Sequence, residues 1–189
     1  GGAAVDPETG ILYVPSVHSE AVIGIVPSEH PRSDMRLVLK SLEQVEGPQE
    51  LPLFKPPYGR LVAIDLNKGE ILWSVANGDG PRDHPALKHL DLPPLGQPGR
   101  VSPLVTKSLV FLGEGGNAGV VVLQPIWGGA GGKMFRAYDK RTGSVVWEKE
   151  LPGGTTSAPM TYMIDGTQYI VVTVGWEDMP SEYIALALP

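Results

Sequence analysis

The residues best suited to metal chemistry are two histidines with nearby aspartates. His84 and His89 stand five residues apart, with Asp83 before the first and Asp91 after the second. Imidazole and carboxylate groups in such an arrangement could bind a metal ion. They occupy a segment rich in proline and turn-forming residues, so we predict a solvated loop here and not a metal centre.

Phosphate binding and nucleophilic catalysis have little support in the sequence. Glycine clusters at 113–116 and 128–132 lack the Gly-Lys-Ser/Thr ending and the strand-to-helix setting of a phosphate-binding loop. Ser102, Ser157 and Thr161 have no histidine and aspartate nearby in a triad-like arrangement. Neither kind of chemistry is therefore predicted.

The elements that must position any site are organised by an eleven-residue repeat. It reads Ala-x-Asp-x-x-(Thr/Lys)-Gly-x-x-x-Trp and occurs at 63–73 and again at 137–147. Each copy predicts a β-hairpin, in which the aspartate binds backbone amides ahead of it and the glycine takes a positive φ. The turn residues are Asp65 with Gly69 in the first copy and Asp139 with Gly143 in the second.

The composition of the chain predicts many short strands joined by turns. Its 189 residues include 24 glycines and 19 prolines, yet 42% are hydrophobic, a mixture unlike that of disordered chains. A formal net charge of −6 argues against a nucleic-acid surface. The absence of cysteine excludes disulfides and thiolate metal sites. No apolar run of about 18 residues is present, so no membrane-spanning helix is predicted.

The order strand, strand, Trp-ended hairpin recurs, giving about two and a half units of four strands each. Tandem four-stranded units are typical of a β-propeller, in which each blade packs between two neighbours. The predicted fold class is therefore all-β, a partial β-propeller, with residues 1–189 in one propeller domain. We interpret the stretches at 15–56 and 113–132 as inserted loops, and Trp73 and Trp147 as inter-blade packing residues.

The repeat resembles the tryptophan-docking motif of the pyrroloquinoline quinone (PQQ) dependent dehydrogenases, and in particular their glucose dehydrogenase-like branch. Four further segments are similar to the C-terminal part of that family, in the same order. They are residues 1–14, 57–65, 151–162 and 165–172. The resemblance implies an eight-bladed propeller of which this chain is the C-terminal portion. The strand pattern that begins directly at the first residues, without a methionine or a signal peptide, leads to the same expectation.

The resemblance also implies a reaction. In this family PQQ accepts a hydride, a Ca²⁺ ion acts as a Lewis acid, and a carboxylate acts as general base on the substrate hydroxyl. The substrate would be a sugar, polyol or alcohol, and the electrons would pass to a membrane quinone or a cytochrome in the bacterial periplasm. The catalytic aspartate and the calcium ligands are expected outside this chain. No catalytic residue and no metal ligand is therefore assigned within it.

One short segment matches a part of the family that approaches the quinone. Gly175 and Trp176 are predicted as cofactor-binding residues, because a backbone amide and a flat ring suit an anionic, planar cofactor. The adjacent acidic pair, Glu177 and Asp178, could line the mouth of an active site or form an exposed turn, and the turn is favoured.

The main alternative is a non-catalytic propeller that shares the repeat and acts as a protein-interaction scaffold in outer-membrane assembly. The run Leu-Pro-Gly-Gly…Ala-Pro-Met-Thr-Tyr at 151–162 favours the enzyme, because it resembles the dehydrogenase branch specifically. Glucose-oxidising members of the family carry an acidic residue near the positions of Glu114 and Asn117. The glycine-rich sequence there prevents a residue-by-residue match, so the role of that acidic residue is assigned to neither. As an isolated chain, the protein is expected neither to bind PQQ tightly nor to turn over.

Overall fold

The computed structural model describes residues 2–18, 21–45, 47–115, 131–176 and 179–187. Over these residues the chain is all-β, as predicted, with short 3-10 turns at Pro48–Glu50, Gly80–Asp83 and Lys88–Leu90. The strands are β1 (Ala4–Asp6), β2 (Ile11–Val17), β3 (Ala21–Pro27), β4 (Leu37–Gln44), β5 (Gly59–Asp65), β6 (Glu70–Ala76), β7 (Leu104–Val105), β8 (Leu109–Gly113), β9 (Met134–Asp139), β10 (Val145–Glu150), β11 (Gly154–Thr155), β12 (Met160–Ile164), β13 (Thr167–Trp176) and β14 (Met179–Ala187).

Twelve of these strands form three antiparallel sheets. The first sheet has the order β1-β2-β5-β6 and the second the order β7-β8-β9-β10. In the third, β13 lies in the middle, with β14 on one side and both β11 and β12 on the other. Two sheets are thus four strands wide and the third is three strands wide. The prediction of about two and a half four-stranded units in a partial propeller is confirmed.

The two ends of the strands differ in how they are connected. At one end, which we call the turn rim, tight turns join β1 to β2, β5 to β6, β7 to β8, β9 to β10 and β12 to β13. The other end we call the loop rim. There residues 18–58 connect β2 to β5, residues 77–103 connect β6 to β7, and residues 114–133 connect β8 to β9, while β10 leads into the glycine-containing approach to β11 and β12. Loops that need not close a hairpin are free to carry function, so the loop rim is where a site is expected.

The predicted turn chemistry is present in both copies of the repeat. Asp65 accepts the amide of Asn67 at 2.9 Å, and Asp139 accepts the amide of Arg141 at the same distance. The turn glycines, Gly69 and Gly143, have φ angles of 72° and 73°. In both hairpins the alanine of the repeat pairs with its tryptophan, and a bulge follows between them and the turn. The same local hydrogen bonds and the same glycine conformation therefore shape both turns.

The sheets pack face to face through two apolar layers. The layer between the first and second sheets comprises Tyr13, Leu61, Ala63, Val101, Val110, Leu112 and Tyr138. The layer between the second and third comprises Phe111, Phe135, Ala137, Leu151, Ile170, Val172 and Val174. The faces directed away from the second sheet are also apolar but exposed, as Val5 and Met160 illustrate. The stack thus has the surfaces of an interior segment that further sheets could cover.

Trp73 makes the inter-sheet contact that its position in the repeat predicts. Its indole N–H donates to the carbonyl of Lys140 at 3.2 Å, in the turn of the next repeat. A Cβ added to Gly143 would lie only 2.7 Å from the indole Cε3, so the ring lies directly against that glycine. The hydroxyl of Tyr13 donates to the same Lys140 carbonyl at 3.2 Å. One turn of the second sheet therefore receives two aromatic side chains of the first.

Among the described residues, the predicted inter-sheet docking is not seen for Trp147. This side chain is 41% exposed, and its ring approaches Phe135 of its own sheet edge-on, with the ring centroids 6.4 Å apart. Docking requires a turn between the third and fourth strands of the next sheet. Because β11 and β12 share one edge of β13, the third sheet is only three strands wide among the described residues. The acceptor that Lys140 and Gly143 provide for Trp73 therefore has no counterpart there.

The stretch at 15–56 contains more regular structure than its irregular sequence indicates. Strand β2 continues through Pro15 to Val17, and β3 and β4 form a separate two-stranded hairpin. The apolar residues at 35–42 belong largely to the strand β4. The apolar side chains of this hairpin, such as Ile25, are mostly exposed and belong to neither apolar layer.

Replacing residues 21–52 with a short glycine–serine linker is expected to change the free energy of unfolding by only about 1 kcal/mol, because exchanging one surface loop for another costs little. The chain on the two sides of the stretch is already paired, since Val17 pairs with Gly59 and the His18 amide donates to the Tyr58 carbonyl at 2.7 Å. Urea denaturation measures the change. Leu61→Ala, which truncates a fully buried side chain, is the destabilised reference at about 2–5 kcal/mol. A similar loss for the linker variant would contradict the independence of the hairpin.

An ion pair on the turn rim also joins the first and second sheets. The Lys140 ammonium donates to the Asp6 carboxylate at 2.6 Å, and the Thr9 hydroxyl donates to the same carboxylate oxygen at 2.5 Å. These two hydrogen bonds lower the pKa of Asp6 from its ordinary 3.8 to about 2. Lys140 therefore holds the first sheet with its side chain as well as with its carbonyl.

Asp6→Asn is expected to remove part of the acid dependence of stability. Because the folded pKa of Asp6 lies below the unfolded one, its stabilisation is present above pH 3.8 and is lost as the pH falls towards about 2. Near neutrality the wild-type chain should therefore be more stable than Asp6→Asn by an amount that does not vary with pH. This difference in stability should shrink as the pH falls from 3.8 towards about 2. Thermal melts of both proteins at a series of pH values measure the difference. A difference in melting temperature between the two proteins that does not depend on pH would contradict the lowered pKa of Asp6.

Candidate functional site

The loop rim brings together polar and glycine residues from all three sheets. The Asn77 side chain, just after β6, donates to the carbonyl of Gly113 at the end of β8 at 2.9 Å. A Cβ added to Gly113 would overlap Thr155 of β11. The first sheet thus contacts the second, and the second contacts the third, at the same rim. A cofactor bound there would face residues of several blades at once.

Gly175 and Trp176 lie on this rim, at the end of β13. Gly175 pairs with Gly154, and a β-bulge separates Val174 from Trp176 where β13 meets β14. A Cβ at Gly175 would lie 3.1 Å from the Ser181 hydroxyl and 3.3 Å from the Thr156 methyl group. Glycine at 175 is therefore explained in part by close packing within the third sheet. Trp176 is partly exposed and pairs with Met179.

A buried hydrogen-bonded group lies beneath the rim between the first and second sheets. The Tyr138 hydroxyl donates to the Asn77 side-chain oxygen at 2.8 Å, and Asn77 in turn donates to Gly113. Both side chains are almost fully buried. Burial raises the pKa of Tyr138 well above its ordinary value, so the phenol stays protonated and remains a hydrogen-bond donor.

Arg136 and Glu114 form a buried ion pair beside this group. The guanidinium Nη1 donates to Glu114 Oε1 at 2.6 Å, and Nε donates to Glu148 Oε2 at 3.1 Å. The Arg136 and Glu114 side chains are 7% and 9% exposed, whereas Glu148 is 54% exposed. Burial by itself would lower the pKa of Arg136, but the Glu114 carboxylate raises it overall. Arg136 thus remains a cation in the interior.

Arg136 was not among the residues that the sequence suggested, although the repeat contains a signal for it. The second copy has Arg136 before its alanine, where the first copy has Val62. Val62 lies on the face of the first sheet directed away from the second, whereas Arg136 lies on the face directed towards the first. A charged residue at an apolar position of a repeat is expensive to bury, so this difference pointed to a polar partner.

The other candidates from the sequence do not come together. Across the part of the chain that the structure describes, no group of three His, Asp or Glu side chains is placed to hold a metal ion. His89 is exposed, and the His84 ring accepts the backbone amide of Ala86 at 3.2 Å. The pair at 177–178, Asn117 and most of the glycine cluster at 128–132 lie outside the described residues. None of the described helical turns is long and apolar enough to cross a membrane.

Comparison with known families decides what the three-sheet stack belongs to. The family model described as "PQQ: Glucose/ethanol/alcohol dehydrogenase, beta-propeller domain" matches residues 1–170. The chain belongs to this PQQ dehydrogenase family. Within it, the docking of Trp73 on the next repeat is an inter-blade contact of the propeller.

Individual members of the PQQ dehydrogenase family match over much of the chain. The quinoprotein glucose dehydrogenase of Gluconobacter oxydans (strain 621H) is 33% identical over 149 residues, which are 74% of this chain and 17% of the relative. The glycerol dehydrogenase large subunit of Gluconobacter thailandicus is 35% identical over 124 residues, 64% of this chain and 15% of the relative. The chain thus spans less than a fifth of the length of either relative.

A solved structure supports the propeller fold. The quinohemoprotein alcohol dehydrogenase of Comamonas testosteroni aligns with 98% of this chain and 25% of its own, with a TM-score of 0.57 and 22% sequence identity. At that identity the likeness concerns the fold. The three sheets described above therefore correspond to consecutive blades of a PQQ dehydrogenase propeller.

Proposed function

We propose that this chain forms blades of a PQQ-dependent dehydrogenase that oxidises a sugar, polyol or alcohol. The family match over residues 1–170 carries the proposal. Relatives named as glucose, glycerol, quinate and alcohol dehydrogenases support a dehydrogenase acting on hydroxyl groups. Because the chain spans a small part of these relatives, the reaction belongs to the whole polypeptide, and this chain contributes a sector of it.

We propose that the loop rim forms one side of the PQQ site. Trp176 presents a partly exposed indole, a surface on which a planar ring system can stack. The hydroxyl of Ser181 lies close to Gly175 and is a donor suited to a carboxylate group. We propose that Gly175 and Trp176 contact PQQ. When bound, PQQ accepts the hydride from the substrate, while the protein orients and holds it.

The described residues do not provide a calcium site, since they lack a group of three carboxylate or imidazole ligands. We propose that Ca²⁺, the general base and most PQQ contacts are supplied by other parts of the polypeptide. The electron acceptor is proposed to be a membrane quinone or a cytochrome, and the location the bacterial periplasm. On this account the isolated 189-residue chain does not turn over.

Reconstitution tests the proposed function. The full polypeptide that carries this chain is incubated with PQQ and Ca²⁺ and assayed with an artificial dye acceptor against glucose, glycerol, quinate and ethanol. Turnover that needs both PQQ and Ca²⁺ is expected with at least one substrate, and none is expected from the isolated chain. Absence of PQQ-dependent turnover with all of them, in a folded protein, would contradict the proposal and favour a non-catalytic propeller.

A further inference from the structure

The carboxylate of Glu114 is held on both oxygens. Oε1 accepts from Arg136 Nη1 at 2.6 Å, and Oε2 accepts the backbone amide of Met134 at 3.2 Å. Glycines close the remaining space: a Cβ at Gly78 would lie 2.7 Å from Oε1, and a Cβ at Gly132 would overlap Oε2. The backbone of two different loops therefore lies directly against this one carboxylate.

The two loops are the connection from β6 to β7 and the connection from β8 to β9. The neck of the second loop is the pair of short stretches 113–115 and 131–134, where its ends approach each other. The Gly132 amide donates to the Gly115 carbonyl at 2.9 Å, and the Glu114 amide donates to the Met134 carbonyl at 3.1 Å. The neck is joined to the first loop as well, because the Gly131 amide donates to the Pro98 carbonyl at 2.7 Å.

A buried ion pair is a costly way to obtain stability alone. Replacing such a pair by apolar residues of similar volume is often neutral or stabilising, because desolvation offsets the attraction. Here the pair fixes positions. The Arg136 guanidinium orients the Glu114 carboxylate, and Gly78, Gly132 and Met134 all lie against that carboxylate. Residues that fix loop positions to within a fraction of an ångström are required where a bound ligand must be oriented.

We propose that Glu114, held by Arg136, is a positioning residue that fixes the neck of the second loop against Gly78 of the first loop, in the arrangement needed by the PQQ and substrate complex. Glu114 is not assigned any contact with substrate or cofactor. This inference rests on the proposed function for its kinetic consequence, but the lock itself is a property of the described contacts.

Glu114→Gln tests the inference, with Asp6→Asn as the matched control. Both substitutions remove one negative charge from an ion pair with a 2.6 Å contact, one on the loop rim and one on the turn rim. Hydrogen exchange of the full polypeptide without PQQ is measured first. The amides of Gly131, Gly132 and Met134 should exchange about tenfold faster in Glu114→Gln, because the loss of a charged hydrogen bond frees the neck. In Asp6→Asn they should exchange as in wild type.

Steady-state kinetics of the PQQ- and Ca²⁺-loaded polypeptide is the second measurement. Glu114→Gln should raise KM about tenfold or more through misplaced loops, with a smaller change in kcat. Glu114→Asp should recover part of the loss, and Asp6→Asn should leave KM unchanged. Unchanged neck exchange in Glu114→Gln would overturn the lock, whether or not the wild type is active.

The remaining outcomes separate the two proposals. Faster neck exchange with unchanged KM in an active enzyme would overturn the positioning role and leave the proposed function intact. A wild-type polypeptide that binds no PQQ and does not turn over would refute the proposed function, and with it the positioning role. In that case the exchange data still decide whether Glu114 holds the two loops together.

Discussion

Trp73→Ala is expected to lower the free energy of unfolding by about 3 kcal/mol or more, as truncation of large packed aromatic side chains does. The indole contacts three features of neighbouring structure: the Lys140 carbonyl, Gly143 and the ring of Tyr13, whose centroid is 5.8 Å away. Its loss would open a gap between the first and second sheets and leave that carbonyl with one donor fewer. Urea denaturation of the wild-type and variant chains gives the difference.

Trp147→Ala is the matched control, because Trp147 occupies the same position of the other repeat. Trp147 is 41% exposed and has no docking turn among the described residues. Its truncation should therefore lower the free energy of unfolding by about 1 kcal/mol or less. The loss of stability in Trp73→Phe should lie between those of Trp73→Ala and Trp147→Ala, since phenylalanine keeps much of the apolar surface but lacks the N–H donor. Equal losses for Trp73→Ala and Trp147→Ala would contradict the asymmetry between the two sheet interfaces.

Arg136→Ala is expected to cost about 3–5 kcal/mol, the usual result when one partner of a buried ion pair is removed. The substitution leaves the Glu114 carboxylate buried next to Gly78 and Gly132 without its cation. It also removes the stem of a side chain that lies between two sheets. Chemical denaturation at neutral pH measures the loss.

Two further variants separate the buried pair from the surface one. Glu148→Ala breaks the contact with the exposed carboxylate and should cost about 1 kcal/mol or less, because solvent screens that pair. The double substitution Arg136→Met with Glu114→Leu should recover most of the stability lost in Arg136→Ala, since neither partner remains charged. If the double variant is as unstable as Arg136→Ala, the stability lost in Arg136→Ala comes mainly from changed packing and not from an unpaired charge.

The parts of the fold that depend on local chemistry were predictable. The turns at 65–69 and 139–143 follow from an aspartate that binds amides ahead of it and a glycine at positive φ. The strand β2 contains Pro15, a residue that interrupts most strands. It continues to Val17 because β1 pairs with it only from Ile11 to Tyr13, and Pro15 lies beyond that partner. An amide is not required on an unpaired side of a strand.

The parts that depend on how sheets stack were not predictable from the repeat alone. Two tryptophans at the same position of the repeat have different surroundings, because docking needs a turn in the next sheet and, among the described residues, only Trp73 has one. The buried pair of Arg136 and Glu114 was likewise missed, since its members are 22 residues apart and meet only after β8 and β9 pair. Gly175 and Trp176 were suggested by resemblance, and the structure places both at the loop rim.

The central claim is that the loop rim of this chain forms part of a PQQ site. Equilibrium dialysis of the full polypeptide against PQQ in the presence of Ca²⁺ tests it most directly. Trp176→Ala should raise the dissociation constant about tenfold, the loss expected when a stacking ring is removed, while Trp176→Phe retains most of the affinity and Trp147→Ala all of it. Unchanged affinity in Trp176→Ala, with Trp147→Ala behaving alike, would contradict the assignment of the cofactor to this rim.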